Sequence, residues 1–383
     1  MSKLSSPIQI GAFPLQHRIV LAPLTRIRAS DNHTPLDMAR EYYAQRASVP
    51  GTLLISEGTF ITAAAGGMPN VPGIWSSAQI AQWKTITAAV HAQGSSIVCQ
   101  LWALGRAANP TVLSASGNYD VISSSNRPMS ESSPHPRALS EGEIAAWIAD
   151  YAQAAKNAIA AGFDGVEIHG ANGYLCDQFL QDGCNDRTDR WGGSVENRAR
   201  FGVEVAKAVA AAVGAERTGY RISPWSPFQG MGMPDRDMKP QFEYLVRRLG
   251  GLGLAYVHVV EPRISGSMSI EGGEEEEEEG GGDEASFVFE ALEPYPDTAV
   301  ILAGGFTAQS AEKTVEKYDD RRKVAIAFGR HFLANPDLPF RLAGGLRLNP
   351  YERATFYTPK SPVGYTDYPF SPEFLAAQDG GQH

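Results

Sequence analysis

The sequence predicts an α/β protein built as a (β/α)8 barrel, and three observations carry that reading. Eight short apolar runs recur from end to end of the 383-residue chain. Each is followed by Gly, Pro or polar residues and then by a longer amphipathic stretch. No G-x-G-x-x-G follows the first run or occurs elsewhere, which weighs against the alternative of an open doubly wound sheet.

The predicted strands are residues 19–22, 52–56, 96–100, 165–168, 219–222, 255–260, 299–303 and 324–328. Their apolar character is nearly continuous, as suits parallel strands covered on both faces. Among the intervening segments, Ser140 with Glu143 three residues later is a capping box opening a helix to about residue 161. Ser194 opens the helix carrying Phe201, Val205 and Val209. Asn335-Pro336 is expected to start a late helix with proline in its first turn. No linker divides the chain, so residues 1–383 are expected to form a single domain with rim insertions. One insertion is the Ser-, Pro- and Asn-rich stretch 103–139 after the third strand. Another is residues 271–284, EGGEEEEEEGGGDE, whose composition cannot supply a packed core and predicts a low-complexity acidic loop.

Net charge is −10, but nine acidic residues fall in that one tract, so the body of the chain is near neutral. Nothing suggests a basic face for nucleic acid. No apolar run approaches the ~20 residues of a membrane span. The start, MSKLSSPIQIG, lacks a signal-peptide apolar region, and the end, DGGQH, carries no retention tail, so the expected location is cytoplasmic. Cys99, Cys176 and Cys184 match no zinc or iron–sulfur spacing, so free thiols and no bound metal are expected. Monomer and homodimer both remain open.

Residues 169–201, HGANGYLCDQFLQDGCNDRTDRWGGSVENRARF, are the most informative stretch. They place an imidazole, a carboxamide and a phenol (His169, Asn172, Tyr174) directly after the fourth predicted strand. A strand ending in donors is how a barrel enzyme builds its site. Two donors can hold a carbonyl oxygen, and a nearby phenol can deliver a proton. Reduction of a double bond conjugated to a carbonyl needs that arrangement.

The other strand ends add to it. APLTR presents Pro23, Leu24 and Thr25, and SEGTF presents Gly58. CQLWALGR presents Gln100 and Trp102, and GYRISP presents Arg221. AGGF and FGR place Gly304, Gly305, Gly329 and Arg330 after strands seven and eight, the usual phosphate site of this barrel class. Bare backbone N–H groups and an arginine can hold a phosphate there. Gln100 and Arg221 can then bond a flat heteroaromatic ring over the barrel centre, and FMN is the best single candidate. Arg221 has a plainer alternative, pairing with a buried carboxylate such as Glu167.

These segments resemble the Old Yellow Enzyme family of flavin-dependent ene-reductases over nearly the full length. The resemblance is carried by LAPLTR, SEGTF, CQLWALGR, the 169–201 stretch, GYRISP, VVEPR, LAGGF, FGRHFLANPDLPFRL and FYTPKSPVGYTDYP. It implies that Thr25 bonds a flavin carbonyl, and that Pro23, Leu24 and Gly58 make backbone contacts to the flavin. It implies that Gln100 and Arg221 meet the pyrimidine edge, while Gly304, Gly305, Gly329 and Arg330 form the phosphate cradle. His169 and Asn172 would bind a substrate carbonyl or a phenolate, and Tyr174 would donate the proton. Trp102, Tyr357 and Met268 would wall the substrate pocket. Many relatives carry a second histidine where this chain has Asn172, and often an aromatic residue at Met268. The implied activity is a ping-pong reduction of enones and enals by NADPH through bound FMN. Two other classes are kept beside it: a flavin-binding or ligand-sensing protein with little turnover, and a metal-assisted barrel hydrolase using His169.

Overall fold

The computed structural model describes residues 2–262, 264–265, 268–269 and 284–380. Eight parallel strands close into a barrel: β1 (Ile19–Leu21), β2 (Leu53–Ile55), β3 (Ser96–Trp102), β4 (Gly165–His169), β5 (Thr218–Ile222), β6 (Tyr256–Val260), β7 (Ala299–Ala303) and β8 (Val324–Phe328). Each strand pairs with the next in sequence, and β8 returns onto β1 through Ile326 opposite Ile19. One principal helix follows each strand: α1 (Asp37–Arg46), α2 (Ser77–His91), α3 (Glu141–Ala160), α4 (Val195–Val213), α5 (Asp235–Gly250), α6 (Ser286–Leu292), α7 (Ala308–Tyr318) and α8 (Leu338–Gly344). The fold is a (β/α)8 TIM barrel.

All eight expected strands form, with two instructive extensions. β3 runs two residues further than the apolar pattern, because Leu101 and Trp102 pair with Thr59 and Phe60. β4 takes in His169, which is therefore a strand residue held by the ladder opposite Arg221. The capping box of α3 is present in both directions, and Ser194 caps α4 through the Asn197 N–H. The helix expected at Asn335-Pro336 instead begins at Leu338, with Asp337 at its N-cap position and Pro339 in the first turn. Asn335 is committed elsewhere: its side-chain amide donates to the carbonyls of His331 and Asn349, and its oxygen accepts from the Asn349 N–H. The acidic tract 271–283 and the side chain of Met268 lie outside the described residues. Among the described residues, no helix is long and apolar enough to cross a membrane.

Successive side chains on a strand point to opposite faces, so each barrel strand divides its residues between axis and helices. The helix-facing set includes Ile19, Leu21, Ile97, Ile168, Tyr220, Val257 and Val300 and packs in the outer core. The axial set includes Val20, Leu53, Val98, Tyr256, Ala299 and Ala325. An antiparallel hairpin, Ile8–Ile10 with Phe13–Leu15, joins this inner cluster and closes the N-terminal mouth. Phe13 reaches Gly165, where an added methyl would come within 2.8 Å of its ring. Among the described residues the barrel is therefore filled from below, and a cleft opens at the carboxyl ends of its strands.

A C-terminal strap, residues 353–365, crosses that open end and is fastened from inside. Arg26 donates to the carbonyls of Phe356 and Gly364. Arg28 donates to those of Thr355, Phe356, Ser361 and Val363. Arg46 reaches Tyr365, whose ring stacks on Tyr42 at 4.1 Å. Guanidinium groups suit this work because five N–H donors diverge from one plane. Replacing Arg28 with Met leaves at least three strap carbonyls without their donor. The expected cost is roughly 3 kcal/mol, taking about 1 kcal/mol per carbonyl from the low end of the range for an unsatisfied group. Urea unfolding measures it, and an unchanged midpoint would show that the strap is held by packing alone.

Candidate active site

The strand ends open on one cleft with about 1300 Å³ of free space, part of it shared with solvent. The residues that line it fall into three groups by chemistry. At the carboxyl ends of β1, β7 and β8 the axial positions are Ala22, Ala303 and Ala327, so this side is flat and shallow. On β3 and β5 they are Gln100 and Arg221, which give the opposite side donors and acceptors. Above them stand His169, Asn172 and Tyr174, with Trp102 and Tyr357.

The phosphate end follows from backbone shape. Gly304 and Gly305 have φ of 138° and 68°, values that side chains disfavour. Together with Gly329 and Arg330 they line the cleft beside Pro23, Leu24 and Thr25. A bare backbone, an arginine, three alanines and a polar edge fit a flat ring with an anionic tail. The Arg221 Nε is buried without a protein partner, a donor that a ligand acceptor would satisfy. Gly58 is not among the lining residues. A methyl there would come within 2.5 Å of the Trp102 ring, so its bareness lets the indole lie against it.

His169, Tyr174 and Trp102 form one aromatic cluster. Trp102 stacks on His169 at 5.9 Å, and both meet the Tyr174 ring edge-on, at 4.8 and 5.0 Å. His169 Nδ1 accepts from the Ala171 N–H, so in the neutral ring the proton belongs to Nε2. Burial and the nearby Arg221 hold this imidazole well below its ordinary 6.5, which keeps it neutral. Burial pushes the Tyr174 phenol up to about 12, so its proton stays on at physiological pH. The site therefore offers a neutral N–H donor and a protonated phenol on one wall.

The turn between β4 and the short helix Leu175–Leu180 is fixed from several directions. Asn172 has φ of 57°, a left-handed conformation that Asn tolerates. Its N–H donates to Ser223 Oγ at 2.7 Å, and its carbonyl accepts from Gln229 Nε2 at 3.1 Å. Its side-chain Oδ1 is buried without a partner. The Gly173 N–H donates to Asp177, whose acid is pushed up to about 6 by burial. The Gly173 carbonyl accepts from Gln178, which also donates to Leu104 and accepts from Ser123 and the Arg106 N–H.

Sequence reasoning missed Phe228, Phe306, His331 and Phe356, which also line the cleft. Phe356 had a usable signal in its neighbour Tyr357, and Phe306 closes the AGGF turn. Phe228 belongs to the loop after β5, which no motif marked. That loop is tied down by Arg106, which donates to the carbonyls of Gln229 and Gly230, and by the Gly232 N–H to Gln181. The alternative pairing of Arg221 with Glu167 does not form an ion pair; Glu167 bonds Gln100 and His258.

Comparison with known proteins places the chain in a family. The chain is 58% identical over 378 residues to chanoclavine-I aldehyde reductase fgaOx3 of Penicillium roqueforti (strain FM164), covering 98% of this chain and 99% of that protein. It is 50% identical over 376 residues to a probable inactive reductase, easA, of Epichloe festucae var. lolii, covering 98% and 97%. The solved structure of Old Yellow Enzyme from Pichia sp. AKU4542 superposes with a TM-score of 0.87 at 36% identity, covering 97% of this chain and 94% of that one. Residues 3–349 match the NADH:flavin oxidoreductase / NADH oxidase family, and the chain belongs to that family and, within it, to the Old Yellow Enzymes.

Proposed function

We propose that this flavin-family oxidoreductase is an NADPH-dependent, FMN-containing ene-reductase that reduces the C=C bond of α,β-unsaturated carbonyl compounds. The observation that carries the reading is the meeting of His169, Asn172 and Tyr174 on one wall of a cleft whose remaining residues fit FMN. Gln100, Arg221, Pro23, Leu24 and Thr25 would hold the ring, and Gly304, Gly305, Gly329 and Arg330 the phosphate. FMN, when bound, supplies a two-electron carrier that takes hydride from NADPH and gives it to the substrate. One cleft serves both partners, so they would enter in turn.

This chain's own residues do the rest. His169 donates from Nε2 and Asn172 from its amide to the carbonyl oxygen, which draws charge from the conjugated double bond. Each such donor is worth roughly 2.7–4 kcal/mol when aimed at developing charge in a dry site. Tyr174 delivers its proton to the α-carbon, and burial keeps that proton in place until the carbon turns basic. A phenolic ligand would occupy the same donor pair. The relative in Penicillium roqueforti is named for an aldehyde, which favours enals over enones as natural substrates. The name of the Epichloe relative favours a second reading, flavin binding with little turnover. Stopped-flow reduction by NADPH separates the two.

Three results are expected. The purified protein is yellow and releases FMN on denaturation; colourless folded protein that ignores added FMN would sink the reading. Tyr174→Phe keeps its rate of reduction by NADPH and loses at least about tenfold in reoxidation by cyclohexenone, the 1.4 kcal/mol scale of one lost interaction; equal loss in both half-reactions contradicts the proton role. The reoxidation rate of the wild type is flat between pH 6.5 and 10.0, because His169 is neutral above its lowered pKa and Tyr174 keeps its proton below its raised one. A fall centred near 10.0 would assign the proton to an ordinary, unburied phenol.

A further inference from the structure

Four adjacent strands bring polar side chains together at one level of the barrel axis: Gln100 from β3, Glu167 from β4, Arg221 from β5 and His258 from β6. In the ladder Gln100 stands opposite Glu167, and Arg221 opposite His258. Glu167 is 0% exposed and is not among the cleft-lining residues, whereas Gln100 and Arg221 are. Its Oε1 accepts from Gln100 Nε2 at 2.7 Å, and its Oε2 accepts from His258 Nδ1 at 2.9 Å. A carboxylate in this position is costly unless its neighbours compensate. Burial pushes its pKa up, but His258, Arg221 and Gln100 together draw it below the usual value, so it is ionised.

Two consequences follow for the cleft. An ionised carboxylate only accepts hydrogen bonds, so the Gln100 group facing it must be the NH2. The Gln100 oxygen and its second N–H are then left in a fixed order for whatever lies above. The Arg221 cation, whose Nε has no protein partner, is meanwhile offset by the negative charge on Glu167.

We propose that Glu167 is a positioning residue for the flavin: it fixes which way the Gln100 amide faces the ring edge and moderates the positive charge that Arg221 offers there. This rests on the FMN reading above. Reduction places negative charge on the ring, which Arg221 stabilises and Glu167 tempers. Removing the Glu167 charge therefore favours the reduced cofactor, while freeing Gln100 weakens its grip on both forms.

The test uses full-length holoprotein and reads FMN affinity by fluorescence and midpoint potential by dye-linked titration. Glu167→Gln should raise the FMN dissociation constant about tenfold, the scale of one hydrogen bond. It should also shift the reduced-to-oxidised ratio about tenfold toward reduced FMN, ~30 mV for a two-electron couple. Should that variant not fold, Glu167→Asp keeps the charge but withdraws it by one methylene. It should weaken FMN binding and leave the potential unchanged. In a Gln100→Leu background, Glu167→Gln should cost no further affinity, because the two act as one unit. Wild-type affinity and potential in Glu167→Gln, wild-type affinity in Glu167→Asp, or additive affinity losses in the double variant would each overturn the proposal. Colourless wild-type protein would instead overturn the FMN reading itself.

Discussion

Closure of the sheet is the constraint from which the site descends. Once β8 pairs with β1, every second residue of every strand faces a common axis. The identity of those residues then decides what the barrel can hold. At the lower levels they are Val, Leu, Ile, Ala and Tyr, joined by the N-terminal hairpin, and they make a packed plug. At the upper level alanines occupy three neighbouring strands and polar side chains the strands opposite. A flat ligand with one polar edge is the shape complementary to that division.

The strand-level architecture was legible because parallel barrel strands are apolar on both faces and stand out as runs. The donor trio was legible because it follows a strand within six residues and belongs to a long matching block. What stayed hidden depended on long-range contact. The bareness of Gly58 makes room for Trp102 from the neighbouring strand, a packing role that its own segment did not show. Phe228 comes from a loop held by Arg106, a residue more than a hundred positions away. Asn335-Pro336 resembled a helix start locally, but the Asn side chain is drawn to Asn349 and the helix begins later. Glu167 and His258 left a faint trace, being ionisable groups inside apolar strands, yet nothing in spacing said that they meet.

The part of the cleft that the strap supplies is built by another principle. Tyr357 is 45% exposed, yet it lines the cleft from a strap whose backbone is bound from behind by buried arginines. Those arginines bond carbonyls, so the strap is fixed by its main chain while its side chains stay open to change. A backbone fixed in this way leaves the cleft-facing side chains of the strap open to change without moving the strap itself. The Asn172–Tyr174 turn shows the reverse arrangement, in which Gln178, Asp177, Ser223 and Gln229 leave little room for movement.

The left-handed backbone at Asn172 narrows what evolution can place there. Most side chains pay a steric penalty in that conformation; Gly, Asn, Asp and His bear it best. In the proposed role, Gly would bring no side chain to a substrate carbonyl oxygen, and an ionised Asp would repel it. Only the carboxamide and the imidazole pass both filters. Main-chain geometry thus selects the residue for the proposed role as much as chemistry does.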